Sequence, residues 1–354
     1  MTNLKAGTYK LFALADANMN YLYDNATERI AFLQEPLVLN HHCDTLSLKL
    51  FKEDPKKQSR IKVQQQAAGR FIFMYAQPVK QPLLKYYPAL PADAPAIEAF
   101  SKNNDTLQVW LPKTPFDSLS VAVYDGAKMI DSVSFNVVRA DVKKPKVRQG
   151  EQDLRKLVVS STPSKGQIFD IGKEAFITSS NPVTQLDLKK IYFTKGKDTL
   201  AFSTDWKKND RTVPLHVKLL EDSAYKLVVM PGALTDCFGQ KNDTLISTFK
   251  IQRQSYYGAL NLQISGMPAG SCIVQLLGEK GNVIRETVFV SSPVLFDKLY
   301  PGNYGVRIIL DSNADSKWTT GNYTEKRQPE KVLLYPGMIR VRSGWDMDVT
   351  WNLK

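Results

Sequence analysis

The chain has few of the residues that build reactive or metal sites. It holds three cysteines and three histidines in 354 residues. Cys43, Cys237 and Cys272 are far apart and form no C-x-x-C pair, which excludes the common zinc and thioredoxin-like motifs. They read as small buried apolar side chains, with a Cys237–Cys272 bridge as the alternative. His41, His42 and Cys43 are consecutive, and consecutive strand residues face opposite ways, so they cannot readily share one ion. The third histidine, His216, is predicted in mid-strand. Without a nucleophile–His–acid set, hydrolase chemistry is not expected. There is no Gly-rich phosphate loop. No apolar run approaches the roughly 20 residues of a membrane span. No secretory leader is legible after Met1.

The chain is rich in strand formers. It carries 15 Tyr and 16 Phe with many Val, Ile and Thr, and its apolar content of 43% suffices for folded domains. The length suggests two to four domains. The net charge of +12 is spread thinly. Its densest stretch, Asp141 to Lys156, mixes lysines with Pro145, Gly150 and acids and reads as a linker, placed at residues 143–154. Scattered lysines protect strand edges, and no nucleic-acid partner is expected.

The most informative feature is an internal repeat. Leu4-Lys-Ala-Gly7-Thr-Tyr9 runs into Asp16-Ala-Asn18-Met-Asn20. Leu299-Tyr-Pro-Gly302-Asn-Tyr304 runs into Asp311-Ser-Asn313-Ala-Asp315 with no gap. Each copy is a turn, a strand and a cluster of oxygen-bearing side chains. Because the first copy starts with its module half built, the chain is expected to be the C-terminal part of a longer protein.

Between the copies, alternation predicts further strands. They are Leu46–Leu50, Arg70–Tyr75, Thr106–Leu111, Leu119–Tyr124, Asp131–Val138, Lys156–Val159, Ala175–Thr178, Ile191–Phe193, Val213–Leu219, Tyr225–Met230 and Asp243–Phe249. Ala92–Phe100 is predicted as a short helix or a loop. Asp-Thr-Leu recurs at Asp44, Asp105, Asp198 and Asp243, as a turn-closing Asp before a strand. The alternation of Trp345, Met347, Val349, Trp351 and Leu353 with polar residues predicts a half-buried antiparallel strand.

Tyr225-x-Leu227-x-Val229-x-Pro231-Gly232-Ala233-x-x-Asp236-x-Phe238-Gly239-x-x-Asn242-Asp243 resembles the closing hairpin of bacterial Ig-like domains of the S-layer type, with Asn181-Pro182 as a further point of likeness. Phe296-x-x-Leu299-x-Pro301-Gly302-x-Tyr304 is similar to prealbumin-like or carboxypeptidase-regulatory sandwiches. Their order resembles Bacteroidetes-type envelope lipoproteins. The resemblance implies a cell-envelope location, outer membrane or periplasm or surface. It also implies a lipid anchor absent from this chain.

The expected fold is all-β, an elongated tandem of antiparallel sandwiches. Residues 1–40 are read as the end of a prealbumin-like module and 41–142 as a sandwich. Residues 155–254 are read as an Ig-like domain and 255–354 as a prealbumin-like sandwich.

The candidate ligand set is Asp16, Asn18, Asn20 and Asp24 with Asp311, Asn313 and Asp315. In an EF-hand loop, oxygens at positions 1, 3 and 5 wrap calcium, with Gly at 6 and a bidentate Glu at 12. Here Tyr21 and Ser316 replace the Gly, while Thr27 and Asn322 replace the Glu, so any calcium site would be weak. Asp and Asn also close tight turns through their own backbone. Tyr21, Tyr23 and Trp318 read as hairpin plugs rather than a sugar-stacking surface. Asp346 and Asp348 read as solvated.

The functional expectation is a non-catalytic envelope protein that presents its modules to a protein or glycan partner. The alternatives are a carbohydrate-binding or carbohydrate-processing accessory module and an accessory subunit of an outer-membrane assembly.

Overall fold

The computed structural model describes residues 4–24, 28–40, 45–55, 57–137 and 156–353. The linker expected at 143–154, His41, His42, Cys43 and Asp44 lie outside them. The described residues form β-strands joined by turns, with two short 3-10 turns, Leu188–Lys190 and Gln254–Tyr256. Contacts divide the chain into a unit of residues 57–253 and a unit made of its two ends, 1–56 with 254–354.

The N-terminal stretch holds β1 (Gly7–Tyr9), β2 (Phe12–Ala15), β3 (Arg29–Phe32) and β4 (Leu37–Leu39). β1 pairs β4 and β2 pairs β3, both antiparallel. Leu46, Leu48 and Leu50 do not form the expected strand. Their alternation finds no ladder, Leu46 and Leu50 are exposed, and only Phe51 bridges to Ile30.

The 57–253 unit begins with β5 (Arg60–Ala67), β6 (Arg70–Tyr75), β7 (Pro82–Tyr87), β8 (Ile97–Phe100), β9 (Thr106–Trp110), β10 (Ser118–Asp125) and β11 (Lys128–Asn136). The sheets β5-β6-β9-β8 and β11-β10-β7 enclose Phe71, Phe73, Leu107, Val109, Leu119 and Val121. Ile97–Phe100 is a strand, not the helix or loop expected. Pairing with β9 overrides the helix preference of Ala and Glu.

The unit continues with β12 (Val159–Thr162), β13 (Ile168–Phe169), β14 (Ala175–Ser179), β15 (Val183–Leu186), β16 (Ile191–Lys195) and β17 (Asp198–Leu200). It closes with β18 (Phe202–Ser203), β19 (Thr212–Val217), β20 (Ala224–Val229), β21 (Leu234–Asp236) and β22 (Leu245–Ile251). The first of these starts three residues later than the expected Lys156–Val159. Sheets β12-β14-β19-β18 and β13-β22-β20-β16-β17 bury Ile177, Phe193, Val213, Leu215, Leu227 and Val229 between them.

The C-terminal stretch holds β23 (Gly258–Ser265), β24 (Ser271–Leu277), β25 (Val283–Val288), β26 (Val294–Leu299), β27 (Gly302–Asp311), β28 (Val332–Leu334), β29 (Ile339–Val341) and β30 (Asp346–Asn352). The sheet β26-β23-β30 packs on the sheet formed by β25, β24, β27, β28 and β29 around Leu260, Leu262, Val274, Leu276, Val306 and Ile308. β30 runs parallel to β23, where an antiparallel strand was expected. Alternation reports which face is buried and is blind to strand direction. Cys237 and Cys272 carry free thiols, so the alternative bridge is not formed.

Candidate functional site

The two Asp/Asn loops are the same structure built twice. β2 and β3 match β27 and β28 in register, and the first nine residues of the two loops, Asp16–Asp24 and Asp311–Thr319, align without a gap. Phe12 pairs Phe32 where Arg307 pairs Leu334, and Gly7 pairs Leu39 where Gly302 pairs Val341. Tyr9 Oη donates to Lys5 O at 2.7 Å, and Tyr304 Oη to Tyr300 O at 2.7 Å. In each loop two residues at matching positions take left-handed backbone, Met19 and Tyr21 at φ 59° and Ala314 and Ser316 at φ 57° and 61°. A non-glycine residue resists that conformation by on the order of 1 kcal/mol. The leading aspartate holds it in place. Asp16 Oδ2 accepts the Tyr21 N–H at 2.9 Å and Asp311 Oδ2 the Ser316 N–H at 3.0 Å. The Tyr21 N–H lowers the Asp16 carboxyl below its ordinary value of 3.8.

The remaining candidate residues lie in the same two loops. Asn18 Oδ1 accepts the Asn20 N–H and Asn20 Oδ1 accepts the Leu22 N–H, at 3.1 and 2.7 Å. Asp24 Oδ2 accepts the side-chain amides of Asn18 and Asn20. In the second loop, Asn313 Oδ1 accepts the Asp315 N–H and Asp315 Oδ1 accepts the Lys317 N–H, at 3.1 and 2.8 Å. These are Asx turns, which orient oxygens while consuming much of their acceptor capacity.

The acid judged missing from both loops is present one step beyond the sequence alignment. Glu28, 1% exposed, accepts the Ala17 N–H at 3.1 Å and the Asp24 N–H at 3.0 Å. Glu330 accepts the Ser312 and Thr319 N–H groups at 2.7 and 2.8 Å. The two glutamates are equivalent and each staples both ends of its loop by charge-assisted bonds. Sequence reading missed them because three residues, 25–27, separate Asp24 from Glu28, whereas ten, 320–329, separate Thr319 from Glu330. Glu28-Arg-Ile30-Ala-Phe32 beside Glu330-Lys-Val332-Leu-Leu334 was the available signal. Both carboxylates are engaged with backbone rather than turned to an ion. Among the described residues, no three His, Cys, Asp or Glu side chains converge as a metal-ligand group.

The longer second loop reaches the first copy. Tyr323 packs edge-on to Phe12, Tyr23 and Phe32, with centroids 5.6 to 5.7 Å apart. Lys326 Nζ lies 3.5 Å from the Tyr323 ring centroid. Gln328 Nε2 donates to Phe32 O at 2.8 Å and Thr320 Oγ1 to Lys52 O at 2.6 Å. Tyr23 is thus part of a small core with Ile30, Phe32 and Phe51, as a plug should be. Tyr21 is 90% exposed and plugs nothing. Trp318 is partly exposed and its Nε1 donates to Glu330 O at 3.2 Å.

A second surface was not foreseen. At one end of the C-terminal sandwich a groove of about 450 Å³ is lined by Pro301, Asn303, Arg340, Arg342 and Ser343. Beside it the exposed Tyr256 and Tyr300 meet at 5.7 Å, and Arg342 stacks on the exposed Trp345 at 5.3 Å. Ser343 Oγ, donating to Ser255 O and Tyr256 O at 3.0 and 2.9 Å, ties the two aromatic segments together. Tyr256, Tyr300 and Trp345 are more than forty positions apart from one another in sequence, and only the tertiary fold brings them together. Asp346 and Asp348 are exposed, as expected, and Asp348 accepts the Asn261 amide at 2.7 Å.

The groups that sequence reading set aside as catalysts are engaged elsewhere. His216, partly exposed, contacts Glu174 through Nδ1 at 2.6 Å and Asp205 through Nε2 at 3.2 Å. Burial, with the nearby Asp236 charge, pushes the Cys237 thiol up to about 12 and away from the reactive thiolate. Asp236 and Asn181, both noted within the Ig-like resemblance, meet at 2.8 Å. Asp236 also caps the Phe238 and Gln240 N–H groups, so the pair closes the hairpin.

The fold is that of an all-β protein whose mostly antiparallel sheets pack as β-sandwiches. No protein-family model matches the chain, and no curated protein matches it in sequence. Among solved structures it is similar to the N-terminal part of the bacterial S-layer protein SbsC, with TM-score 0.27 and 13% identity over 51% of this chain and 43% of that one. The chain thus matches less than half of that S-layer structure. It is also similar to Bacteroides ovatus SGBP-B in complex with a mixed-linkage heptasaccharide, with TM-score 0.25 and 12% identity over 96% and 81%. A third likeness is to the major pilin subunit BcpA of Bacillus cereus, with TM-score 0.19 and 9% identity over 77% and 99%. At such scores and identities the likeness is one of β-sandwich architecture and bears on no ligand or partner.

Proposed function

We propose that the chain is a non-catalytic binding and scaffolding protein of the cell envelope that holds an acidic glycan at the aromatic end of its C-terminal sandwich. The observation that carries this reading is the grouping of Tyr256, Tyr300 and Trp345 around a groove edged by Arg340 and Arg342. Exposed aromatic rings offer flat apolar faces to sugar rings, and a guanidinium fork matches a carboxylate. The net charge of +12 favours encounter with a polyanion. The aromatics are accompanied by arginines rather than by paired acids, so the surface suits binding rather than glycoside cleavage. The envelope location rests on the sequence resemblance.

Affinity electrophoresis through gels containing uronic-acid or neutral polysaccharides tests this. Uronic-acid gels should retard the chain, and the Tyr300→Ala/Trp345→Ala double variant should lose at least tenfold in affinity. Equal retardation of variant and parent, or none in any gel, would remove the reading.

Calcium is the second reading for the loops, favoured by the repetition of one oxygen set at Asp16, Asn18 and Asn20 and at Asp311, Asn313 and Asp315. Millimolar calcium should then raise the melting temperature relative to EDTA, and Asp16→Ala with Asp311→Ala should abolish the rise. An unchanged melt leaves the loops as turn chemistry alone.

A further inference from the structure

In the sheet β5-β6-β9-β8, Phe71, Phe73, Leu107 and Val109 point into the core. The period of two therefore sends Arg70, Gln108 and Trp110 to the opposite face. β6 and β9 pair antiparallel with Arg70 directly opposite Trp110, which sets the two side chains beside each other. That face is not left to solvent, for Trp110 is 0% exposed. What covers it comes from the second half of the 57–253 unit. Arg211, one residue before β19, donates from Nη1 to Gln108 Oε1 at 2.9 Å and from Nε to Ser179 O at 3.1 Å. A methyl at Gly69 would meet the Leu111 carbonyl at 2.5 Å and the Phe238 ring at 2.9 Å, so the contact has no slack.

Two cations therefore share one buried ring. The guanidinium carbons of Arg70 and Arg211 lie 6.0 and 5.4 Å from the Trp110 ring centroid. Both arginines are half-buried, and among the described residues no carboxylate pairs with either. Burial holds both guanidinium groups below their ordinary pKa, and the Arg211 charge lowers Arg70 further. Two donors here, Arg70 Nε and Trp110 Nε1, are shielded from solvent without an acceptor. The ring attracts each cation through its face, but it gives neither N–H a hydrogen bond. Like charges brought together in a partly dry place, beside unsatisfied donors, call for an anion.

We propose that Arg70, Arg211 and the Trp110 N–H form a site for one small tetrahedral oxyanion with the chemistry of sulfate or phosphate. Guanidinium forks match the oxygens of such an ion in pairs, and a tetrahedral ion has oxygens enough for both forks and the indole N–H. Its charge offsets the repulsion between the two arginines. Because Arg70 belongs to β6 and Arg211 to the segment leading into β19, the ion also ties the two halves of the 57–253 unit together. None of these residues belongs to the C-terminal groove assigned above to a glycan.

Heteronuclear NMR of the full chain, isotopically labelled on its tryptophan indoles, tests this. Sulfate and phosphate, each compared with chloride at equal ionic strength, should shift the Trp110 N–H resonance saturably at millimolar concentrations. Trp110→Phe identifies that resonance by its loss. Arg70→Gln should weaken binding about tenfold, the worth of one charge-assisted hydrogen bond. Arg70→Lys, which keeps the charge and the stem, should fall between that variant and the parent. The remaining indole resonances show whether each variant is folded. Because the readout is one buried N–H, general stabilisation by sulfate does not imitate it. Chloride shifting the Trp110 resonance as far as sulfate and phosphate do would overturn the proposal. So would a folded Arg70→Gln or Arg70→Lys variant that binds sulfate as tightly as the parent.

Discussion

The N-terminal and C-terminal copies of the repeat share a local sequence pattern and the same turn chemistry, yet have different surroundings. Each folds an Asp-led loop with two left-handed residues and a glutamate staple. Ile308, on a strand flanked by β24 and facing a second sheet, is fully buried, while Ala13 remains half-buried. Local chemistry therefore suffices for the loop, whereas burial of the strand beneath it depends on what the rest of the chain supplies. The ten residues 320–329 compensate in part. They let the C-terminal copy reach across to pack against Phe12 and Phe32 of the other and against the nearby Phe51.

The comparison breaks most sharply at Phe51. Phe51→Ala should cost about 3 kcal/mol by opening a cavity in a core too small to collapse around it. Urea denaturation should show the loss, and exchange should rise across residues 28–33 while residues 302–311 keep their protection. A uniform rise would mean that the two copies are one cooperative core.

Next in size is Glu330→Ala, expected to cost about 2–3 kcal/mol by stranding the Ser312 and Thr319 amides. Glu28→Ala should cost a similar amount in the other loop, and each Gln variant less. If either alanine variant melts like the parent, its staple is not what closes the loop.

Gly321→Ala should cost about 2 kcal/mol, because a methyl there would meet the Phe51 ring at 2.6 Å and the Arg327 carbonyl at 3.0 Å. Lys326→Met, which removes the cation over Tyr323 and keeps the stem, should cost about 0.5–1 kcal/mol. Denaturation midpoints of the two variants, compared side by side, separate steric fit from electrostatics in the clasp.

The smallest effect is a pH dependence. The folded-state pKa of Asp16 is lowered, so its stabilisation is complete above the unfolded value near 3.8 and is lost as pH falls through the folded one. Asp236 shifts the other way through burial, so its contribution increases as pH falls and its carboxyl takes up a proton. Melting temperatures from pH 6 to pH 2.5 should therefore fall less steeply in Asp16→Asn than in the parent. Parallel curves would show that the Tyr21 contact contributes nothing to stability.

Much of the architecture was legible in the sequence. The period-two pattern of Arg70–Tyr75 became β6, and Tyr225–Met230 became β20, because one buried face dictates alternation. Leu46–Leu50 carried the same pattern without becoming a strand, since a ladder needs a neighbour that sequence does not specify. The Asp16 and Asp311 loops were legible as turns and as oxygen clusters. Their staples were not, because a seven-residue difference in loop length hides Glu330 from a gapless alignment with Glu28.

The sequence by itself determined the face that a strand buries and the two loops, because these depend on spacings of a few residues. Only the tertiary structure decided that β30 runs parallel to β23, that Glu28 and Glu330 cap backbone amides, and that Tyr256, Tyr300 and Trp345 share one end of a sandwich. Each of these joins residues distant in sequence, and the physical reason is the same throughout. Side-chain alternation is a property of one strand, whereas direction, burial and convergence are properties of how strands pair and sheets pack.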